Sequence, residues 1–394
     1  MKRHWLLLFS ASVAGCASAA SNPDGGGLQG DAALAQDAGG SIIGEPGTPQ
    51  ALHDVSVLWP LPNEVNKVDR LLGPASAGAK GELLPASIYQ KMPQLSVAAF
   101  ARENIRVVGV RIDPCFRFGT STECSNQLRL VMQPIRVDEG KVAPQDAAVH
   151  TFYSLARDQL KVLAGAIAGH GSEPTRALGV HPTLASEGLD GTFATRLRAL
   201  VLEYAGASNL VRATFMQRTN SRQGTWVFGG FEISGNSTTD ITIATLGVKT
   251  QEFTTVGFVV QGSATPELKA DDNPSLFFNE SSVTAATAEK AQAAYDGVLR
   301  VLNPEKHTPE TIDCVSCHTA TSSKSIGENL RALNATANAN AYKSTFDLTV
   351  TTNTKRSDTL RAFGYFDVEP VVSGRVVNES ASVLAYLQRE VFKP

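Results

Sequence analysis

The spacing of hydrophobic and polar positions changes several times along the chain. A short apolar run, WLLLFSASVAG (5–15), follows the positive Met1-Lys2-Arg3-His4, and residues 17–50 then have few large side chains and no period. Such a segment cannot bury enough apolar surface to offset its ordering entropy. Strands are predicted in DVSVLWPLP (54–62), NIRVVGVRID (104–113) and QLRLVMQPIRV (127–137). In the last, Leu128, Leu130 and Met132 alternate with Arg129, Val131 and Gln133, the period-2 pattern of a strand with one buried face. Two amphipathic helices are predicted next. Val149, Phe152, Ala156, Leu160, Leu163 and Ile167 recur at helical spacing up to Gly169, and Phe193, Leu197, Leu200 and Tyr204 mark a second helix stopped by Gly206. Strands return over 210–218, 225–234, 239–247 and 252–262, the first two joined by the hairpin-like TNSRQG.

The character changes near residue 265. A polar, proline-containing stretch (263–275) precedes a helix with Ala291, Tyr295, Val298, Leu299 and Leu302 on one face, ended by Asn303-Pro304. A terminal helix is predicted over 378–392, capped by Asn378, with Val383, Leu384, Leu387 and Val391 on one face. The pattern divides the chain into a signal peptide (1–15), a flexible linker (16–52), an α+β domain (53–265) and a helix-flanked C-terminal domain (266–394).

Composition narrows the function. The 394 residues are 42% hydrophobic, enough for two cores, and the net charge of −3 comes without a basic stripe. A nucleic-acid partner is therefore not expected. No GxSxG, HExxH, Walker or dinucleotide motif occurs. The N-terminal apolar run is too short to span a bilayer and has the layout of a secretory signal. Its end, Val13-Ala14-Gly15-Cys16, resembles the bacterial lipobox. That resemblance implies cleavage before Cys16, lipidation of its sulfur and anchoring to a membrane of the cell envelope without spanning it. Ala17 after the cysteine favours the outer membrane, facing periplasm or surface. A plain secretory signal with an incidental cysteine is the alternative.

Besides Cys16 there are four cysteines, which allow three pairings. Cys115 and Cys124 flank a short Gly/Ser/Thr loop between two predicted strands, where a disulfide would close a small loop. Cys314 and Cys317 lie in TIDCVSCHTA (311–320), directly before His318. Three chemistries use such a motif. In a c-type haem site the two thiols reach one porphyrin edge and the histidine turns under the iron. A zinc site would need a fourth ligand, and no second Cys or His pair exists. A thioredoxin-like site expects the first cysteine at a helix N-terminus after a strand, with a lowered pKa. Here the motif follows a helix and a proline-containing loop, and Asp313 would raise the pKa.

Residues 284–394 resemble a monohaem c-type cytochrome domain: a helix, a loop, CVSCH, an irregular stretch and a terminal helix. Together with the strand and helix pattern of residues 53–265, the resemblance gives an expected α+β protein. A β-rich N-terminal domain with two or three amphipathic helices would be followed by a small, mainly α-helical, cytochrome-like domain. It also implies haem c on Cys314 and Cys317, His318 as proximal axial ligand, single-electron transfer and a redox protein partner, so an electron carrier rather than a catalyst. One departure stands out. No methionine or histidine follows residue 318, and Met1, Met92, Met132 and Met216 all lie upstream. His307 is the nearest candidate for a second axial ligand, with Lys324, Tyr342 and Lys343 downstream. An open sixth position would suit a peroxidase-like enzyme, which wants a distal acid–base group and a positive group. Arg331, Arg356 and Arg361 qualify only by type. His150, on the first predicted helix, reads as a packed or edge histidine, and Trp59 and Trp226 as core aromatics, although Trp226 could line a pocket. The alternative to a haem protein is a non-redox binding or structural lipoprotein of the envelope in which CVSCH closes as a disulfide.

Overall fold

The β-branched and alternating runs before residue 262 pair with one another. In the computed structural model, residues 47–93, 100–116, 123–170, 177–219, 224–256, 259–261, 264–267, 273–278, 280–346, 348 and 360–393 are described. The signal, Cys16, most of the expected linker and Arg356 lie outside the described residues. The elements begin with β1 (Ser56–Leu58), β2 (Ala77–Gly78), β3 (Gly81–Glu82), α1 (Ala86–Tyr89), β4 (Ile105–Phe116), β5 (Ser125–Asp138), β6 (Lys141–Pro144), β7 (Ala148–Leu155), α2 (Arg157–Ile167), α3 (Pro182–Glu187) and α4 (Thr192–Tyr204). They continue with β8 (Leu210–Arg218), β9 (Thr225–Ser234), β10 (Ser237–Asp240), β11 (Thr250–Val256), β12 (Val259–Gln261), α5 (Glu280–Ala285), α6 (Ala288–Leu302), α7 (Cys314–Arg331), β13 (Phe363–Phe366), β14 (Glu369–Val372) and α8 (Gly374–Tyr386).

Among the described residues, ten strands form one antiparallel sheet, ordered β1-β4-β5-β7-β8-β9-β11-β12, with β6 beside β5 and β10 beside β9. The register aligns side chains in rows across it. One row runs Arg111, Arg129, Phe152, Arg212, Glu232. The next runs Gly109, Val131, His150, Thr214, Gly230. The third runs Ala148, Met216, Phe228, Gln251. Residues two apart on a strand share a face, so all three rows lie on the same side. The intervening Leu128, Leu130 and Met132 point the other way and join an apolar core with Leu160 and Leu163 of α2 and Phe193 and Leu197 of α4. β5 is thus buried on both faces, Arg129 and Gln133 included, and not on one.

Two predicted elements move for the same reason. The expected helix from Val149 is strand β7 as far as Leu155, and only Arg157–Ile167 is helical. A strand covered on both faces loses its period of 2, and the apolar residues of AVHTFYSL then imitate helical spacing. The terminal helix begins at Gly374, where Ser373 accepts from the Val376 N–H. Asn378 is inside it and donates to the Leu302 carbonyl at 2.8 Å. The expected strand 239–247 continues as strand only to Asp240, beyond which Ile243 makes an isolated antiparallel bridge to Val248. The strands over 210–218 and 225–234 and the helices around 193–204 and 291–302 form where expected. Cys115 and Cys124 are joined by a disulfide at the β4–β5 turn.

The expected fold class needs correction. The core is mostly β, and the described residues include no separate, all-helical, cytochrome-like C-terminal domain; those from Gly47 onward fall in one compact unit. The C-terminal elements are divided among three apolar clusters. The hairpin β13–β14 and α8 join the main core. α6 packs with Ile312 and Ala320 in a smaller cluster. Val315 and Leu360 join Met216, Trp226, Phe228 and Phe253 of the sheet. The physical cause is that one helical hairpin cannot bury its own apolar faces, and the sheet supplies the missing surface. The attachment is specific. Gln133 on β5 accepts from the Tyr365 N–H at 3.0 Å and donates to the Tyr365 carbonyl at 2.7 Å, so a side chain substitutes for a strand in holding β13. Phe363 lies against Gly109, where a Cβ would come within 2.7 Å of its ring.

Candidate functional site

Cys314 is the first residue of α7, and the helix starts there because Asp313 caps it. The buried Asp313 carboxylate accepts from Ser316 N–H (3.0 Å), from the Gln251 amide (2.7 Å) and from Thr265 N–H (3.1 Å). Gln251 of β11 also accepts from the Val315 N–H at 3.0 Å. Two of the N–H groups that a helix start leaves unpaired are thereby satisfied, and the helix end is fixed to the sheet. The sequence places the first cysteine of the motif after a loop; the structure puts it at a helix N-terminus after all. That position alone would lower a thiol pKa. Burial, with Asp313 adding to it, instead raises Cys314 far above the usual thiol range, and burial pushes Cys317 up to about 11. Both remain protonated thiols near neutral pH, unlike a redox-active thiolate. They are not joined to each other.

One turn into the helix, the His318 ring packs against Phe228 with centroids 5.0 Å apart. Its Nδ1–H donates to the Leu360 carbonyl at 2.6 Å. Burial lowers its pKa to about 4, so the ring is neutral and Nε2 carries a lone pair. Leu360 is itself fixed by its neighbour. The buried Arg361 guanidinium donates to Ala147 O (2.9 Å) and pairs with Asp146 (3.3 Å), which also accepts from Trp226 Nε1 (2.9 Å). A ligand histidine whose other nitrogen is bonded to a backbone carbonyl is a common arrangement in metal sites.

Cys314, Cys317 and His318 line one cavity together with residues from all three rows of the sheet face, among them Arg129, His150 and Phe228. Its interior offers about 150 Å³ to water-sized molecules, and the space rises to about 1140 Å³ only when the open, solvent-filled mouth is counted. The walls are largely apolar: Val131, Phe152, Phe215, Met216, Phe228, Ile243, Phe363 and Val376 contribute. Charged groups gather toward the Arg111–Arg129–Arg212 row. Arg212 is held by Glu232 and Glu310. Arg375 of α8 donates to Glu379 (2.7 Å) and to the carbonyls of Val301 (2.6 Å) and His307 (2.7 Å). Arg111 pairs with Glu379 at 3.1 Å. Burial alone would raise the Glu379 pKa, but Arg375, Arg111 and Arg129 hold it down to about 2. His150, in the middle row, makes no hydrogen bond or ion pair among the described residues. Burial, helped by the charge of Arg129, keeps it neutral.

The predicted residues divide clearly. Cys314, Cys317 and His318 are brought to the cavity. His307 is not: its ring nitrogens are bonded to Thr311 Oγ1 (3.1 Å) and Glu267 (2.8 Å). Lys324 pairs with Glu328, Lys343 is exposed and Tyr342 packs on the main core. Arg331 holds carbonyls near the end of α5, and Arg361 positions Leu360. Trp59 and Trp226 are buried core residues. Sequence reasoning missed Arg111, Arg129, Gln251 and the cavity-facing His150. Polar residues spaced by two within apolar strands were the available signal, and they read as a solvated face. Asp313 directly before CVSCH, taken above only for its effect on the thiol pKa, was the available signal for the helix start.

The donor set fits a covalent haem better than a metal ion alone. Two cysteines and a histidine line one cavity with largely apolar walls and arginines at one side. No group of three or more His, Cys, Asp or Glu side chains among the described residues converges on a possible ion position. No helix among the described residues is long and apolar enough to cross a membrane. Compared with known protein families, curated proteins and solved structures, the chain matches none.

Proposed function

We propose that this chain carries one c-type haem and passes single electrons in the bacterial cell envelope. The observation that supports this most directly is the His318 ring. Its Nδ1–H is committed to Leu360, and its Nε2 is left as a metal donor on a residue that lines the same cavity as both cysteines. Cys314 and Cys317 would hold the haem through thioether bonds, each S–H adding across one vinyl group so that no oxidant is needed, and His318 would bind its iron. The bound haem supplies an iron that gains and loses one electron. The chain's own contribution is to seat the ring in an apolar cavity, orient His318 through Leu360 and Arg361, and limit water. The lipobox pattern ending at Cys16 is the basis for the envelope location and the lipid anchor.

The test is expression of the full chain in a host with haem-attachment machinery, followed by a denaturing gel stained for haem. The wild type should stain and the Cys314→Ser/Cys317→Ser double variant should not. A colourless wild-type band refutes the reading and favours the non-haem envelope protein.

A second reading, a haem enzyme, draws support from His150, an unbonded neutral imidazole in the same cavity. Carbon monoxide added to the ferrous protein separates the two. An altered spectrum means an available sixth position, and an unaltered one means the carrier.

A further inference from the structure

Arg111 of β4 stands directly opposite Arg129 of β5, and both line the cavity. Like charges facing each other across two strands destabilise a sheet unless something compensates them. For Arg111 the compensation is present: Glu379 at 3.1 Å and Ser56 Oγ at 3.2 Å. Glu379, however, is shared with Arg375. Among the described residues, Arg129 has Asp113, at 3.5 Å, and the faces of Phe152 (4.7 Å) and Phe116 (6.0 Å). Its Nε is buried without a hydrogen-bond partner, and the residue is 7% exposed. Arg111, Arg129 and Arg375 thus share two carboxylates, Glu379 and Asp113. A buried guanidinium with donors left over is costly. Where it faces a cavity, a ligand can supply the missing acceptor.

We infer that Arg129, with Arg111 beside it, binds a carboxylate presented inside the cavity. The planar guanidinium fork matches a carboxylate in two parallel hydrogen bonds, which a point charge cannot do. Position along the sheet adds to this. The arginine row passes through Phe152 and the row touching His318 through Ala148, so the two ends of the cavity are about 13 Å apart along β7. The ligand is therefore extended, apolar in the middle and anionic at the end away from His318. The ligand's identity rests on the haem reading: the carboxylate would be a propionate of that haem, held by Arg129.

The experiment uses the full-length protein after haem staining, as wild type, Arg129→Met and Arg129→Lys. The iron midpoint potential is followed against pH. A propionate held by Arg129 stays ionised, so the wild-type profile is flat near neutrality. Arg129→Met introduces a pH-dependent step, and Arg129→Lys, which keeps the charge, reduces it. In parallel, thermal unfolding is measured with and without benzoate. Stabilisation by benzoate in the wild type but not in Arg129→Met, with unchanged potential profiles, identifies the same carboxylate site holding a free acid. Identical profiles and no benzoate effect overturn the inference. If the protein does not stain, the haem reading has failed separately. The benzoate measurement on the colourless wild type then decides: a raised midpoint supports the carboxylate site, and an unchanged one overturns it, whether or not the variants fold.

Discussion

Replacing Asp313 with Ala tests whether the start of α7 is held as described. The substitution removes the helix cap and leaves three donors without their acceptor: Ser316 N–H, the Gln251 amide and Thr265 N–H. Loss of a cap costs about 1 kcal/mol. A buried donor deprived of its partner costs about 1–3 kcal/mol. Some relief comes from no longer burying a carboxylate. The expected net loss is about 4 kcal/mol, a large share of a typical stability of about 5–15 kcal/mol. Asp313→Asn keeps one carbonyl oxygen for Ser316 N–H but turns an amide toward another donor, and should cost about 2 kcal/mol. Urea unfolding of wild type and both variants, compared at equal slope, gives the two differences. On the proposed haem reading, the Ala variant should also attach haem less completely, because Cys314 and Cys317 sit in the first turn that the cap fixes. An Asp313→Ala protein destabilised by less than about 1 kcal/mol would refute the account of this helix end.

Acid sensitivity should be traceable to Glu379. Its folded pKa of about 2 against an ordinary 4.5 corresponds to about 3 kcal/mol, present above the ordinary value and lost as pH falls through it toward the folded one. Glu379→Gln should therefore be less stable than wild type at pH 7, with the gap closing on acidification; a gap that widens would be contrary to the sign. Gly109→Ala should weaken the seating of β13, because the new methyl meets the Phe363 ring at 2.7 Å. Overpacking of this kind costs about 1–3 kcal/mol, measurable by urea unfolding, and Phe363→Leu in the same chain should recover part of it.

Reading the sequence alone goes well where a local pattern suffices. Helix α4 follows from Phe193, Leu197, Leu200 and Tyr204, and the β8–β9 hairpin from two β-branched runs around TNSRQG. The Cys115–Cys124 disulfide follows from a short loop between strands. Each depends on neighbours in sequence, whose spacing has one physical meaning. The reading goes astray where burial on both faces erases that meaning, as in AVHTFYSL and around Arg129. There an arginine between leucines looks solvated and in fact lines a cavity.

The motif chemistry is local: two thiols and a histidine at fixed spacing, an acidic residue before them, and no methionine or histidine downstream. Tertiary structure alone decided what faces the motif. Strands β4, β5, β7, β8 and β9 carry Arg111, Arg129, His150, Met216 and Phe228 to the wall opposite α7, from positions far from Cys314 in the chain. Their meeting depends on sheet register and on α7 docking through Gln251. Both are set by long-range pairing and packing energies, which no local period along the chain encodes.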